Sequence, residues 1–269
     1  MVTFVLPRLV SFEGAGRRSA SVAERNVAAL KSAYWIVLIS GFFEPLLYLL
    51  SIGVGVGDLI GDIALPGGEV VEYAAFVAPA MLAAAAMSGA LSETTFNFFG
   101  KMKFMKLYDG VLATPVQPFE IALGELAWAM VRGSLYSAAF LVVMYALDLT
   151  TGVRALVAFP AAVLVGFAFG AMGMALSTFM RGWQDFDLVG SAQFALFLFS
   201  GTFVPAESYP SALRWVIEVT PLYRAVELMR GITTGTLGAS GWLDVAYLLV
   251  AMAVGLGIAS RRMAKLLCK

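Results

Sequence analysis

The chain has 269 residues, 60% of them hydrophobic and 13% charged, with a mean hydropathy of +0.85. Soluble domains carry about 25% charged residues, so an ordinary water-soluble domain is excluded, as is a disordered chain. Eighteen basic residues balance eighteen acidic ones, leaving no net basic field for nucleic acid; with no histidine and one cysteine, Cys268, histidine triads, histidine or thiolate metal sites and an internal disulfide are excluded too.

A helix crossing a hydrocarbon core needs roughly 20 mostly apolar residues. In chain order, the apolar runs predict six spans. They lie at about 33–56, 73–95, 120–147, 155–180, 188–204 and 242–261. Ahead of them, Ser21-Val22-Ala23-Glu24 reads as a capping box opening an amphipathic helix with Val27, Leu30 and Tyr34 on one side. Such a helix lies in the interface and leads into the first span. The stretch before it, with Pro7 and Arg8 inside a short apolar run, does not read as a cleavable signal peptide. The positive-inside rule sets the orientation. Arg8, Arg17, Arg18, Arg25 and Lys31 lie in the N-terminal arm, and Lys101, Lys103 and Lys106 between the second and third spans. Arg181 follows the fourth span, and Arg261, Arg262, Lys265 and Lys269 end the chain. These fall on one side, and only Arg154, Arg214, Arg224 and Arg230 on the other. Both termini are therefore expected in the cytoplasm. Three segments result: an arm at 1–32, a transmembrane domain at 33–262 and a tail at 263–269.

Between the second and third spans, Phe104, Leu107, Tyr108 and Val111 recur at helical spacing among lysines, and Thr114-Pro115 stops the run. A short helix with an apolar and a basic face fits either a membrane surface or a cytoplasmic partner. After the fourth span, Asp185 and Asp187 flank Phe186; the pair is a weak metal signal and better suits the N-terminal turn of a helix. After the fifth, Ser211 is a candidate cap for a short helix. Thr220 and Pro221 suit the N-cap and first position of a second, with Gly231 at its end. Both are too short to cross, so they read as re-entrant or outer-leaflet elements, a candidate lid on an outer exit.

Charges within spans are default functional candidates. Glu44-Pro45 sits mid-span in the first, Glu93 near the inner end of the second, and Glu125 and Arg132 two turns apart on the third. Each fits a tether to another helix or a transport role. Small residues at Ala83–Ala86 and at Gly166, Gly170 and Gly173 fit close helix packing. No phosphate-cradling G-x-x-x-x-G-K-[ST] run is present, since Met102 follows Gly100-Lys101. The chain is thus expected not to hold ATP by a P-loop.

Several of these stretches resemble the membrane subunit of ABC-2 type exporters, in the branch of lipooligosaccharide (nodulation-factor type) and daunorubicin-type permeases. They are Glu24-Arg25-Asn26, Phe43-Glu44-Pro45-Leu46-Leu47-Tyr48, Gly53–Gly57, Ala75–Pro79 and Glu93-Thr94-Thr95-Phe96. They continue with Lys101-Met102-Lys103, Tyr108–Pro115, Leu123-Gly124-Glu125, Ser200-Gly201-Thr202-Phe203-Val204-Pro205 and Thr220-Pro221-Leu222. The resemblance implies an all-α inner-membrane protein. A second permease subunit, the same or homologous, would complete the pathway, with membrane lipid around it and no nucleic acid. Separate P-loop ATPase subunits would hold ATP and Mg2+, while this chain would bind no cofactor and carry out no covalent chemistry. It further implies that Arg25, Lys103, Phe104, Lys106, Leu107, Tyr108, Asp109, Leu112, Thr114 and Pro115 couple the chain to the ATPase. Glu44, Pro45, Phe203, Pro205 and Pro221 would line the pathway or its gate. An ion-coupled secondary efflux carrier, with Glu44 as the coupling carboxylate, is the alternative.

Overall fold

The computed structural model describes residues 49–64 and 70–267, together with Val22, Phe43, Leu46 and Leu47. The expected interfacial helix and most of the first span, with Arg25, Glu44 and Pro45, lie outside the described residues. The end of that span appears as a wide helical turn over Leu49–Val54. A small antiparallel hairpin follows, pairing Asp62–Ala64 with Val70–Glu72. This sheet is an addition to the all-α expectation.

Four helices among the described residues are long and apolar enough to cross a membrane. The first, α1, covers Tyr73–Ser92 and continues through wide turns at Glu93–Asn97 and Gly100–Phe104. The 32-residue rod is about 48 Å long at 1.5 Å per residue. It therefore outruns the expected end near Thr95 and carries Lys101 and Lys103 on its own last turns. Thr94 and Thr95 return their hydroxyls to the carbonyls of Ala90 and Leu91. Such back-bonding loosens the ladder where the wide turns begin. A short helix, α2, covers Leu107–Leu112. Lys106, at φ 47°, separates it from α1, so Phe104 belongs to α1 and not to the short helix. Next come α3 over Pro118–Ala146 and α4 over Gly152–Ser177, the third and fourth expected spans. Gln117 and Glu120 close a capping box at the start of α3.

The fifth expected span is corrected. Helix α5 covers Asp185–Leu198 and has 14 residues, about 21 Å, short of a 30 Å core. Ser200–Val204 then runs as non-helical backbone. Asp185 and Asp187 fall in the first turn of α5, as expected, and Asp185 accepts from the Arg181 backbone N–H at 2.7 Å. Helix α6 covers Ser211–Val219; Pro210, not Ser211, is its N-cap, and no side chain caps it. Helix α7 covers Pro221–Thr234, with the Thr220 hydroxyl accepting from the Tyr223 N–H at 3.3 Å. Gly231 is interior to α7. The stop is Gly235, whose φ of 85° takes the left-handed cap that glycine alone adopts cheaply. The last crossing helix, α8, covers Ser240–Leu267.

The core forms where α1, α3, α4, α7 and α8 meet. Helix α1 is buried nearly all round, its Ala83–Ala86 run letting neighbours close in. At Gly173 a Cβ would stand 2.6 Å from Thr94 Oγ1 and 2.8 Å from Leu91 Cδ2. Backbone-to-side-chain contact of this kind holds apolar helices together in lipid, where no hydrophobic drive acts between them. Helix α8 keeps Trp242, Leu243, Val250 and Val254 exposed, an outer face suited to lipid.

Candidate functional site

The sequence candidates separate into two groups at opposite ends of α1, with a cleft along its side. At the lysine end, Lys101 Nζ donates to Glu125 Oε2 at 2.7 Å and lies 4.0 Å from Glu93 Oε1. Asn97 Nδ2 donates to Glu93 Oε2 at 2.7 Å. Both carboxylates are buried. Glu93, Asn97 and Lys101 stand four residues apart on one face of α1, and Glu125 comes from α3. A buried carboxylate needs a cation or donors, and the terminal extension of α1 supplies them. Lys101 was legible only as a loop cation; its spacing to Glu93 and Asn97 was the signal. Arg132 lies in α3, and its side chain is outside the described set.

Lys103 is also engaged within the chain. Its Nζ donates to the carbonyls of Arg181 at 2.8 Å and Met180 at 3.3 Å. These follow the C-terminal end of α4, where a cation meets the negative pole of the helix. Phe104 stacks on Trp183 with centroids 5.1 Å apart and an 11° tilt. Trp183, absent from the sequence candidates, carried no motif to mark it. Phe104, Met105, Lys106 and Asp109 are exposed, Leu107 and Leu112 half-buried, and Thr114 and Pro115 exposed. Tyr108 is wholly buried, its ring 5.4 Å from that of Phe98. It anchors α2 from beneath and presents no surface of its own. The Thr114 hydroxyl donates to the Val111 carbonyl at 2.6 Å, closing α2 where Thr-Pro predicted a stop.

Between α1 and α5 lies an open cleft of about 330 Å³, lined by Ser92, Thr95, Phe96, Asn97, Phe186, Val189, Gly190 and Gln193. Phe96 and Phe186 meet edge to face at 5.5 Å. Gln193 Nε2 donates to Ser88 Oγ at 2.7 Å and ties the helices together along the cleft. Helix α5 buries none of its residues; Leu188 and Phe194 are more than half exposed. Aromatic rings beside hydroxyl and amide groups suit an amphipathic ligand. No cluster of metal-ligating side chains occurs among the described residues.

At the arginine end, α7 closes over the Ser200–Val204 break. Arg230 donates from Nη2 to the Gly201 carbonyl at 2.8 Å, from Nη1 to Glu227 Oε1 at 2.6 Å and from Nε to the Phe76 carbonyl at 3.4 Å. Its guanidinium lies 3.8 Å from the centroid of the Phe76 ring. Burial pulls its pKa below the ordinary value, and Glu227 opposes that pull. Phe203, the gate candidate, has its carbonyl 3.4 Å from the Tyr73 hydroxyl and its ring edge-on to Phe197 at 5.3 Å. Pro205, two residues on, and Pro221, at the start of α7, are half-buried, each opening a helical turn. Arg230 was legible only as an outer-loop charge. Yet it lies four residues after Val226, on the buried stripe of α7, and a charge on a buried stripe is the signal that finds it.

The family model described as ABC-2 type transporter matches residues 21–233. The match stops before α8. Nodulation protein J of Rhizobium leguminosarum bv. trifolii is 33% identical over 216 residues, covering 80% of each chain. Nodulation protein J of Rhizobium meliloti (strain 1021) is 30% identical over 217 residues, covering 80% of this chain and 81% of that one. The same-named protein of Rhizobium leguminosarum bv. viciae is 28% identical over 248 residues, covering 90% and 94%. With a family match over most of its length and four membrane-crossing helices, this chain belongs to the ABC-2 type transporter family and is a multi-pass membrane protein.

Proposed function

We propose that the chain is the permease subunit of an ATP-driven exporter, carrying a lipid, glycolipid, lipooligosaccharide or amphipathic drug outward across the inner membrane. A separate P-loop ATPase binds ATP and Mg2+ and docks on the lysine end, which faces the cytoplasm with both termini. A second permease, the same or homologous, completes the pathway against the uncovered face of α5, with the cleft between α1 and α5 on that pathway. Helices α6 and α7 form re-entrant elements over the outer exit, and Phe203, Pro205 and Pro221 belong to its gate. Arg25, Glu44 and Pro45 keep the coupling and pathway roles that the family resemblance implies.

The observation that carries this reading is the build of α2. A buried Tyr108 fixes it to the bundle, and Lys106 turns the chain sharply at its start. Phe104, Met105, Lys106 and Asp109 remain on the surface. Apolar knobs beside a cation suit a helix-in-groove contact with another protein. Because α2 continues from the α1 rod, a push on it reaches Glu93, Glu125 and the cleft. Affinity purification from the native host tests this. Recovery of a P-loop ATPase at one copy per permease, with ATP-driven extrusion of an amphipathic probe from vesicles, is the expected result. Recovery of the chain alone, with transport that follows the proton gradient and ignores ATP, would overturn it.

A further inference from the structure

Where α5 ends, Ser200–Val204 leaves helical geometry at a level where α1 and α7 surround it. Carbonyls freed from a helix need donors when water is excluded. Two of them find side chains from two different helices: Arg230 of α7 on Gly201, and Tyr73 of α1 on Phe203. Gly201 has φ 70°, and its Cβ position would touch the Tyr223 ring at 3.4 Å. Tyr223 and Arg230 are about two turns apart on α7, so one face of α7 seats both sides of Gly201. The third and fourth contacts of Arg230 are the carbonyl and ring of Phe76, in the first turns of α1. Ser200 and Thr202 complete the break with a buried hydroxyl pair at 2.7 Å. Pulling α7 from the break would strand a buried guanidinium, and an uncompensated buried charge is strongly unfavourable. A planar fork meeting two carbonyls and a carboxylate cannot be copied by a lysine.

From this we propose that Arg230 is a positioning residue of the exit. It joins the Ser200–Pro205 break, α7 and the first turns of α1 into one body that moves during transport without coming apart. The proposal rests on the exporter reading for its function, and on geometry alone for its cohesion.

The test uses the full chain in vesicles with its ATPase, Cys268 replaced by serine, and spin labels at exposed Val204 and Thr236. Pulsed electron resonance reads the distance between the break and the end of α7. In the unchanged exit, that distance is expected to stay fixed across nucleotide-free, ATP-bound and ADP-bound states. A shift between states would overturn the single-body proposal. Arg230→Lys is expected to broaden the distance distribution without nucleotide and to lower transport per assembled complex about tenfold, while ATP hydrolysis persists. Glu227→Gln, which leaves both carbonyl bonds in place, is expected to keep the narrow distribution. An Arg230→Lys protein with the original distribution and transport would remove Arg230 from the role. The nucleotide-free arm needs no ATPase. Failure of ATP-driven transport alone would therefore strike the exporter reading, while a distribution left narrow by Arg230→Lys would strike this one.

Discussion

The two ends of α1 both bury a cation, and they bury it differently. At the lysine end, Lys101 meets two carboxylates and keeps its side chain 19% exposed. At the arginine end, Arg230 meets two backbone carbonyls, a carboxylate and an aromatic face, with 6% of its side chain exposed. A lysine ammonium is a mobile point charge on a flexible stem, and its partners can exchange around it. A guanidinium fork fixes the direction of each bond. On the exporter reading proposed above, the lysine end would shift its pairing when α2 is pushed, and the arginine end would hold its shape.

The comparison breaks hardest at Tyr108. Tyr108→Asp places a carboxylate in a fully buried site, costing about 3 kcal/mol or more. The expected outcome is loss of the folded monodisperse protein, read by thermal unfolding in detergent, while Tyr108→Phe stays folded.

Gly173→Val comes next. Its Cβ position already lies within 3 Å of Thr94 and Leu91, so overpacking costs about 1–3 kcal/mol. It should lower the melting temperature and push the α1 extension away from α4.

At the lysine end, a double-mutant cycle of Lys101→Met and Glu125→Gln should give a coupling of about 1–3 kcal/mol. A coupling near zero would mean that the 2.7 Å pair contributes no more than an exposed one.

The smallest effect on stability belongs to Lys106→Glu. The residue is exposed, so the fold should change by less than about 0.5 kcal/mol. ATP-driven transport should nevertheless fall, and normal transport would detach Lys106 from coupling.

Much of the fold was legible in the sequence, because long uncharged runs leave few options but crossing helices. The third and fourth spans, the cap at Thr220 and the stop at Thr114-Pro115 followed from local rules alone. The errors arose where tertiary packing decided the outcome. Hydropathy continued the fifth span to Val204, but Gly201 at positive φ and side-chain donors to the Gly201 and Phe203 carbonyls let the chain leave the helix. Lys101 and Lys103 read as loop cations because their acceptors, Glu125 and the carbonyls of Met180 and Arg181, are distant in sequence. Helical spacing linked Phe104 to Tyr108, yet the left-handed Lys106 puts them on different helices with opposite exposures. Periodicity tells which residues share a face and says nothing of which face is covered.

The central claim is that α2 and the residues just before it seat in a separate ATPase. It is tested most directly by a photoreactive amino acid at position 106, activated in intact cells. The expected product is a covalent adduct with a P-loop ATPase that disappears when Met105→Asp blocks docking. Adducts with lipid alone, from a chain that still transports, would contradict the claim.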